Sequence, residues 1–329
     1  MDPVSQACFG ASLSQSFTSN KTTQLSALLI GALAGMAADL DVLIYSKDDP
    51  LLFLEFHRQF THSLIFIPVG ALLCALAFYP VAKNKLPFNK IYLFSFLGYA
   101  THGLLDACTS YGTQLFWPFS SERVAWNTIS IIDPLFTLPV TIFILLAVFK
   151  KNRFYARIAF IYSISYLSLG LIQHHRAEQA AYVLAQQRGH QLERIQVKPS
   201  FGNRHVWKLI YEYNGRYYID AVKLLWEVKY FPGSSVQKLD IKRDFPGLPE
   251  NSQQAKDIER FRWFSDNFLA VDKENKNMIM DVRYSLLPNS IKPLWSIKIN
   301  IAQPENHIQY IIKRNLDAET RKKFMDMLF

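Results

Sequence analysis

Hydrophobic positions crowd into the first half of this chain and thin out in the second. Five runs, 25–44, 62–82, 91–110, 128–149 and 154–172, are apolar and each approaches the ~20 residues that a bilayer-crossing helix needs. Pro134 and Pro139 interrupt the fourth run, which a membrane helix tolerates where neighbours satisfy the freed carbonyls. After Ile172 the pattern changes. Residues 173–191 continue the fifth run as a polar helix, 206–225 reads as a hairpin turning at Asn214-Gly215, 278–284 and 295–301 alternate as strands, and 254–268 is helical in period. The predicted fold class is an all-α polytopic membrane domain of about five spanning helices over residues 1–172, followed by a soluble α+β domain over 173–329.

Charge divides at the same place. Residues 1–172 hold 11 Lys/Arg against 9 Asp/Glu, leaving 25 against 18 for residues 173–329. The surplus fits either an affinity for anionic surfaces such as lipid headgroups or, more simply, a solvated basic domain. All three cysteines, Cys8, Cys74 and Cys108, precede the tail, so no disulfide framework holds it. The start, MDPVSQACFG, shows neither a basic n-region nor a cleavage site, and the first apolar run is expected to stay as an anchor. Lys83, Lys85 and Lys90 cluster between runs two and three, and Lys150, Lys151 and Arg153 between four and five. By the positive-inside rule those loops are cytoplasmic, which sends the tail to the opposite side.

On that map the intramembrane ionisable residues gather at one depth. Asp39 and Asp41 end the first run, His57 and His62 flank the start of the second, His102 and Asp106 close the third, and Asp133 opens the fourth. A lone Asp or His at such a place is commonly a helix end in headgroup water. Four carboxylates together would each cost at least ~2.5 kcal/mol on insertion scales, and a cation resolves the difficulty. Carboxylate with imidazole suits Zn, Mn or Fe better than Mg or Ca, and Cys108 is a further candidate donor. His102 and Asp106 are four apart and share a helical face. Asp39 and Asp41 cannot, so the helix is expected to unwind there, one Asp binding the ion and the other orienting a histidine. His57 belongs to a loop, His62 begins the next helix with Thr61 placed to cap it, and Arg58 either contacts a phosphate or snorkels to the headgroups. His174-His175-Arg176, at the end of the fifth run, reads as an interfacial anchor, with a metal role as the alternative.

Several ordered motifs resemble one family. Met1-Asp2-Pro3 through Gln6, Gly31 to Gly35 with Asp39-Leu40-Asp41, His57-Arg58 with Phe60-Thr61-His62-Ser63, Gly98-Tyr99 with His102 and Asp106, Ser110-Tyr111-Gly112 with Leu115 and Trp117-Pro118-Phe119, and Ile132-Asp133-Pro134 are similar to the YdjM-like predicted membrane-bound metal-dependent hydrolases. The likeness covers about the first 140 residues. It implies a multi-pass protein of the bacterial inner membrane and a distant relation to zinc-dependent phospholipases C and single-strand nucleases. It also carries over Asp39, Asp41, His57, His62, His102 and Asp106 as ligands or their supports. Gln6 departs from the pattern, since some relatives carry His there and an amide oxygen binds a metal more weakly.

The expected activity is therefore metal-assisted hydrolysis at the periplasmic membrane surface. A divalent ion, zinc first, would be held by Asp39, Asp41, His57, His62, His102, Asp106 and Asp133, with Asp41 or Asp106 acting on the water and Arg58 on the substrate. A phospholipid or lipid-linked phosphoester is the first substrate class. No Gly-rich phosphate loop, Gly-x-Ser-x-Gly elbow or His-Glu-x-x-His pair occurs, and no nucleic-acid partner is expected. The alternatives are a membrane amidase or peptidase, a metal-stabilised scaffold without catalysis, and a transporter, whose charges would lie nearer the bilayer midplane.

Overall fold

The computed structural model describes residues 1–18 and 21–329, and its chain divides into two compact units. The first unit comprises Met1–Leu43, Phe56–Ile172 and Phe201–Arg204, and the second Ile44–Glu55, Gln173–Ser200 and His205–Phe329. In chain order the helices of the first half are α1 (Pro3–Ser16), α2 (Gln24–Met36), the short α3 (Leu52–Phe56), α4 (Ile67–Ala82), α5 (Phe88–Ala107), α6 (Pro134–Phe149) and α7 (Arg153–Gln187).

Helix α1 lies outside the five predicted runs because it is built largely from Ser, Gln, Ala and Gly, yet Gln6, Phe9, Ala11, Ser12 and Gln15 on it are buried. Pro3 occupies its first turn and Asp2 caps it, accepting from the amides of Val4 and Ser5. Small residues are what let it into the interior. A Cβ at Gly10 would stand 2.6 Å from the Gly31 carbonyl oxygen, and one at Gly98 2.4 Å from the same oxygen, so α1, α2 and α5 touch backbone to backbone.

Among the described residues, three stretches are long and apolar enough to cross a membrane: Lys21–Leu43, Leu64–Ala82 and Arg153–Gln187. This is fewer than the five expected. Helix α6 is apolar but has 16 residues, and α5, with Ser95, Thr101, His102 and Asp106 all buried, is an interior helix of its unit. The predicted polar continuation of the fifth run is present, since α7 runs unbroken for 35 residues.

The second unit contains β1 (Arg194–Pro199), β2 (Val206–Tyr213), β3 (Arg216–Leu224) and β4 (Val228–Gln237) in one antiparallel meander. Then follow α8 (Ile241–Asp244), α9 (Gln253–Phe264), β5 (Leu269–Val271), β6 (Met278–Asp281), β7 (Trp295–Lys298) and β8 (Gln309–Ile312) in a second meander, and α10 (Ala318–Leu328). The hairpin expected at 206–225 is β2 and β3, with Asn214 and Gly215 both at positive φ, 50° and 65°, as a two-residue type I′ turn requires. Strand β2 is buried on both faces. Trp207 and Leu209 pack with Val222 against Ala177, Ala181 and Leu184 of α7, whereas Ile210 joins its strand partner Ile219, Phe268, and Met280 of the second sheet. The segment Ile44–Glu55 belongs to this core: Arg260 on α9 pairs with Asp49 at 2.8 Å, with Glu55, and with Asp257 at 3.0 Å, and Phe53 meets Tyr310 edge to face.

Candidate metal centre

The first unit places its ionisable side chains from three directions. Asp39 and Asp41 sit on Ala37–Leu43, where α2 tightens into a 3₁₀ helix in place of the expected unwinding. His57 and Arg58 lie in the turn after α3, as the loop assignment anticipates. His62 ends the 3₁₀ turn Phe60–His62, five residues ahead of α4, so it precedes that helix and does not begin it. His102 and Asp106 stack one turn apart on α5.

Ligand atoms of Asp39, His62, His102 and Asp106 all fall within 4.8 Å of one another. The Nε2 atoms of His62 and His102 are 3.0 Å apart. Asp39 Oδ1 is 3.4 and 3.3 Å from them, and Asp106 Oδ2 is 3.4 and 3.8 Å. Hydrogen-bond partners assign the tautomers. His102 Nδ1 is 2.6 Å from the Gly35 carbonyl, which only accepts, so that nitrogen carries the proton. The Thr61 hydroxyl donates to Asp41 Oδ2 at 3.0 Å, so its oxygen accepts from His62 Nδ1 at 2.9 Å. Both Nε2 lone pairs therefore face each other and two carboxylate oxygens. One proton satisfies a single pair of these acceptors, whereas a divalent cation satisfies all four. A tetrahedron of ~2.1 Å zinc–ligand bonds has edges of about 3.4 Å, close to the separations observed, so the donor set fits a zinc-like ion.

Asp41 has a different task. Its Oδ1 is 2.8 Å from His57 Nδ1, and its Oδ2 accepts from the Arg58 amide at 2.9 Å and from Thr61, with His62 Nδ1 at 3.3 Å. It orients two histidines, the carboxylate–imidazole support common beside metal ligands. Asp39, Asp41 and His57 nonetheless form a second converging group. The side chains of His62, His102, Asp41 and Asp106 are closed off, while Asp39 and His57 are 27% and 20% exposed, so the centre opens on their side.

Arg58 is buried, at φ 64°, a conformation rare for a residue with a side chain. Its amide on Asp41 and its carbonyl, accepting from the Gln114 amide at 2.9 Å, hold it there. Its Nε forms a 2.8 Å ion pair with Asp106 Oδ2 that is not aligned as a hydrogen bond, and its guanidinium lies over the Tyr111 ring. The terminal amine of Met1 and the Gln6 amide, at 2.8 Å, reach the other Asp106 oxygen.

Asp133 is not brought into either group. It caps α6, accepting from the amides of Leu135 and Phe136, and its second oxygen accepts from the Tyr166 hydroxyl at 2.8 Å. Both oxygens are thus committed to holding two helices together. Cys108 lies in an apolar cluster with Phe9, Leu105 and Phe136. Thr61 serves Asp41 and caps no helix. Sequence reasoning missed the carbonyl of Gly35, the Met1 amine and Gly103, whose absent Cβ would stand 2.2 Å from the His62 carbonyl oxygen. Backbone groups and close approaches leave no signal in residue type.

Residues 1–177 match the model of the family described as YdjM inner membrane protein. The chain belongs to this family. Two relatives agree: the Bacillus subtilis protein YfhP, described as uncharacterized, is 34% identical over 112 residues, 33% of this chain and 33% of that protein. The Escherichia coli inner membrane protein YbcI is 32% identical over 108 residues, 32% of this chain and 61% of its own length. Each alignment spans less than two thirds of the relative. No solved structure matches the chain. The YdjM match contains every residue of both converging groups and stops within α7, ahead of the sheets.

Proposed function

We propose that the chain is a multi-pass inner-membrane hydrolase that depends on a divalent metal, zinc first, and attacks a phospholipid or lipid-linked phosphoester at the periplasmic membrane surface. The observation that carries this reading is the pair of facing Nε2 lone pairs, 3.0 Å apart and flanked by Asp39 and Asp106. Asp39, His62, His102 and Asp106 would hold the ion. It would supply an activated water and an electrophile for a phosphoryl oxygen. Asp41 keeps the rings of His57 and His62 oriented through their Nδ1 atoms. His57, its Nδ1 turned to Asp41, presents Nε2 on the open side, where it takes and returns the proton of the attacking water. Arg58, next to Asp106, offsets charge that develops on the substrate. The positive-inside loops support a periplasmic tail, and α5 and α6 would complete five crossings within the bundle.

A metal-bearing scaffold without catalysis draws on one specific observation, the contacts of Asp106 with Arg58, the Met1 amine and Gln6, which build it firmly into the fold. Metal content of the detergent-purified full chain, followed by hydrolysis of extracted envelope lipids with and without chelator, separates the two. The hydrolase reading expects chelator-sensitive release of a phosphorylated product, lost in His57→Ala with the metal retained. If the metal-loaded protein leaves phospholipids, lipid-linked phosphates and peptides intact, the scaffold reading replaces it.

A further inference from the structure

The turn between β3 and β4 exposes three large apolar side chains in four residues, Leu225 at 42%, Trp226 at 102% and Val228 at 48%. Single exposed apolar residues are ordinary, but a wholly exposed indole flanked by two aliphatic chains marks a surface that another phase covers. Its place identifies that phase. The carbonyl of Leu224 accepts from Gln173 Nε2 at 3.3 Å, and that of Leu225 from Arg176 Nη2 at 2.8 Å, while Arg176 Nη1 donates to Gln173 Oε1 at 2.7 Å. Gln173 and Arg176 stand on α7 in the first turn beyond Leu171 and Ile172, whose side chains are more than half exposed, as lipid-facing residues are. Helix α7 is long and apolar enough to cross a bilayer. The hydrogen bonds therefore fix the turn at the level where α7 passes from apolar to polar, within about one helical turn, ~5.4 Å, of that boundary.

We propose that the β3–β4 turn is an interfacial anchor: Trp226, with Leu225 and Val228, enters the headgroup layer of the bilayer that α7 crosses, and Arg176 and Lys229 meet lipid phosphates. An indole has an apolar body and one N–H donor, which suits a layer that is apolar below and wet above. Lys229 and Arg176 are exposed around the turn, with Glu227 on the turn itself and Glu178 3.9 Å from His175 on α7. The second unit thereby has a lipid contact of its own, independent of what the metal centre does.

The test uses the full chain in vesicles of phosphatidylethanolamine and phosphatidylglycerol, about three to one. A nitroxide is attached at Trp226→Cys and, for comparison, at Lys276→Cys on an exposed loop; the three native cysteines are buried. The ratio of collisions with oxygen to collisions with a water-soluble nickel chelate should be several-fold higher at position 226. Equal ratios would place the turn in water and overturn the proposal. Loss of both kinds of collision, with Trp226→Cys cross-linking between copies, would overturn it in favour of a contact between two chains. A second measurement avoids the label: the fluorescence difference between wild type and Trp226→Phe should be quenched by vesicles of brominated lipid, and an unquenched difference would likewise refute the anchor.

Discussion

Two imidazole nitrogens 3.0 Å apart, each with its proton committed on the far side of the ring and both beside two carboxylate oxygens, are the arrangement on which the proposed metal centre rests. At this scale the residues differ sharply in what their loss should do. His62→Ala and His102→Ala should each weaken zinc binding by at least tenfold, whereas His205→Ala and His307→Ala in the second unit should leave metal content unchanged; metal analysis after gel filtration decides. Asp133→Ala should keep the metal and lower the melting temperature, since it removes a helix cap worth about 1 kcal/mol along with the Tyr166 bond. Equal metal loss in all five variants would mean that the centre is elsewhere. The residue types were legible in the sequence, because Asp and His are costly beside hydrocarbon and so stand out. That Asp133 caps a helix, and that Asp41 supports histidines, was not, because both depend on which donors come within 3 Å.

Elements hold these residues in place through close approach more than through apolar periodicity. Helix α1 escaped the hydropathy reading because burial of Ser and Gln inside a helical bundle depends on partners that composition does not name. The approach of the His62 segment to α5 rests on Gly103, and Gly103→Ala should push His62 away from His102. Zinc affinity should fall by about tenfold or more, in the range seen when ligand support is lost, while Gly247→Ala, with only a 3.4 Å contact to Ile301, should change nothing. Titration calorimetry on the two variants checks this. In the second unit, Lys208 on β2 is buried, its ammonium donating to Ser285 Oγ and the Ser290 carbonyl. Burial pushes its pKa down to about 7 from 10.5, and pushes that of its cross-strand neighbour Lys198 down as well. Between pH 7 and about 10 the unfolded chain holds protons that the folded unit has released, so stability rises with pH across that window. Melting of the full chain from pH 7 to 9.5 should show the second unit's transition moving up, and Lys208→Met should reduce that rise. A transition insensitive to the substitution would mean that Lys208 is solvated.

For the whole molecule, the change from an apolar to a polar pattern near Ile172 marks the division between the two units. A reporter active only in the periplasm should work when fused after Gln191 and be silent at Leu86, and the reverse result would put the tail and the centre on the cytoplasmic side. By itself the sequence determined what burial and charge dictate locally: apolar runs for the membrane half, a type I′ hairpin at Asn214-Gly215, helix α9, and a set of His and Asp residues near the ends of the apolar runs. Among the described residues three of its five runs are long and apolar enough to cross a membrane, because length and apolarity of a run do not say whether its polar face is turned to lipid or, as in α5, to other helices. Only the tertiary structure decided that Ile44–Glu55, which in sequence separates Asp41 from His57, folds into the second unit around Arg260. It also decided that four ligand atoms converge while Asp133 does not. The physical reason is the same throughout: hydrophobic partition acts on each residue alone and can be read along a line, whereas convergence depends on distances of 3 to 4 Å between residues far apart in the chain, set by where glycines let helices touch.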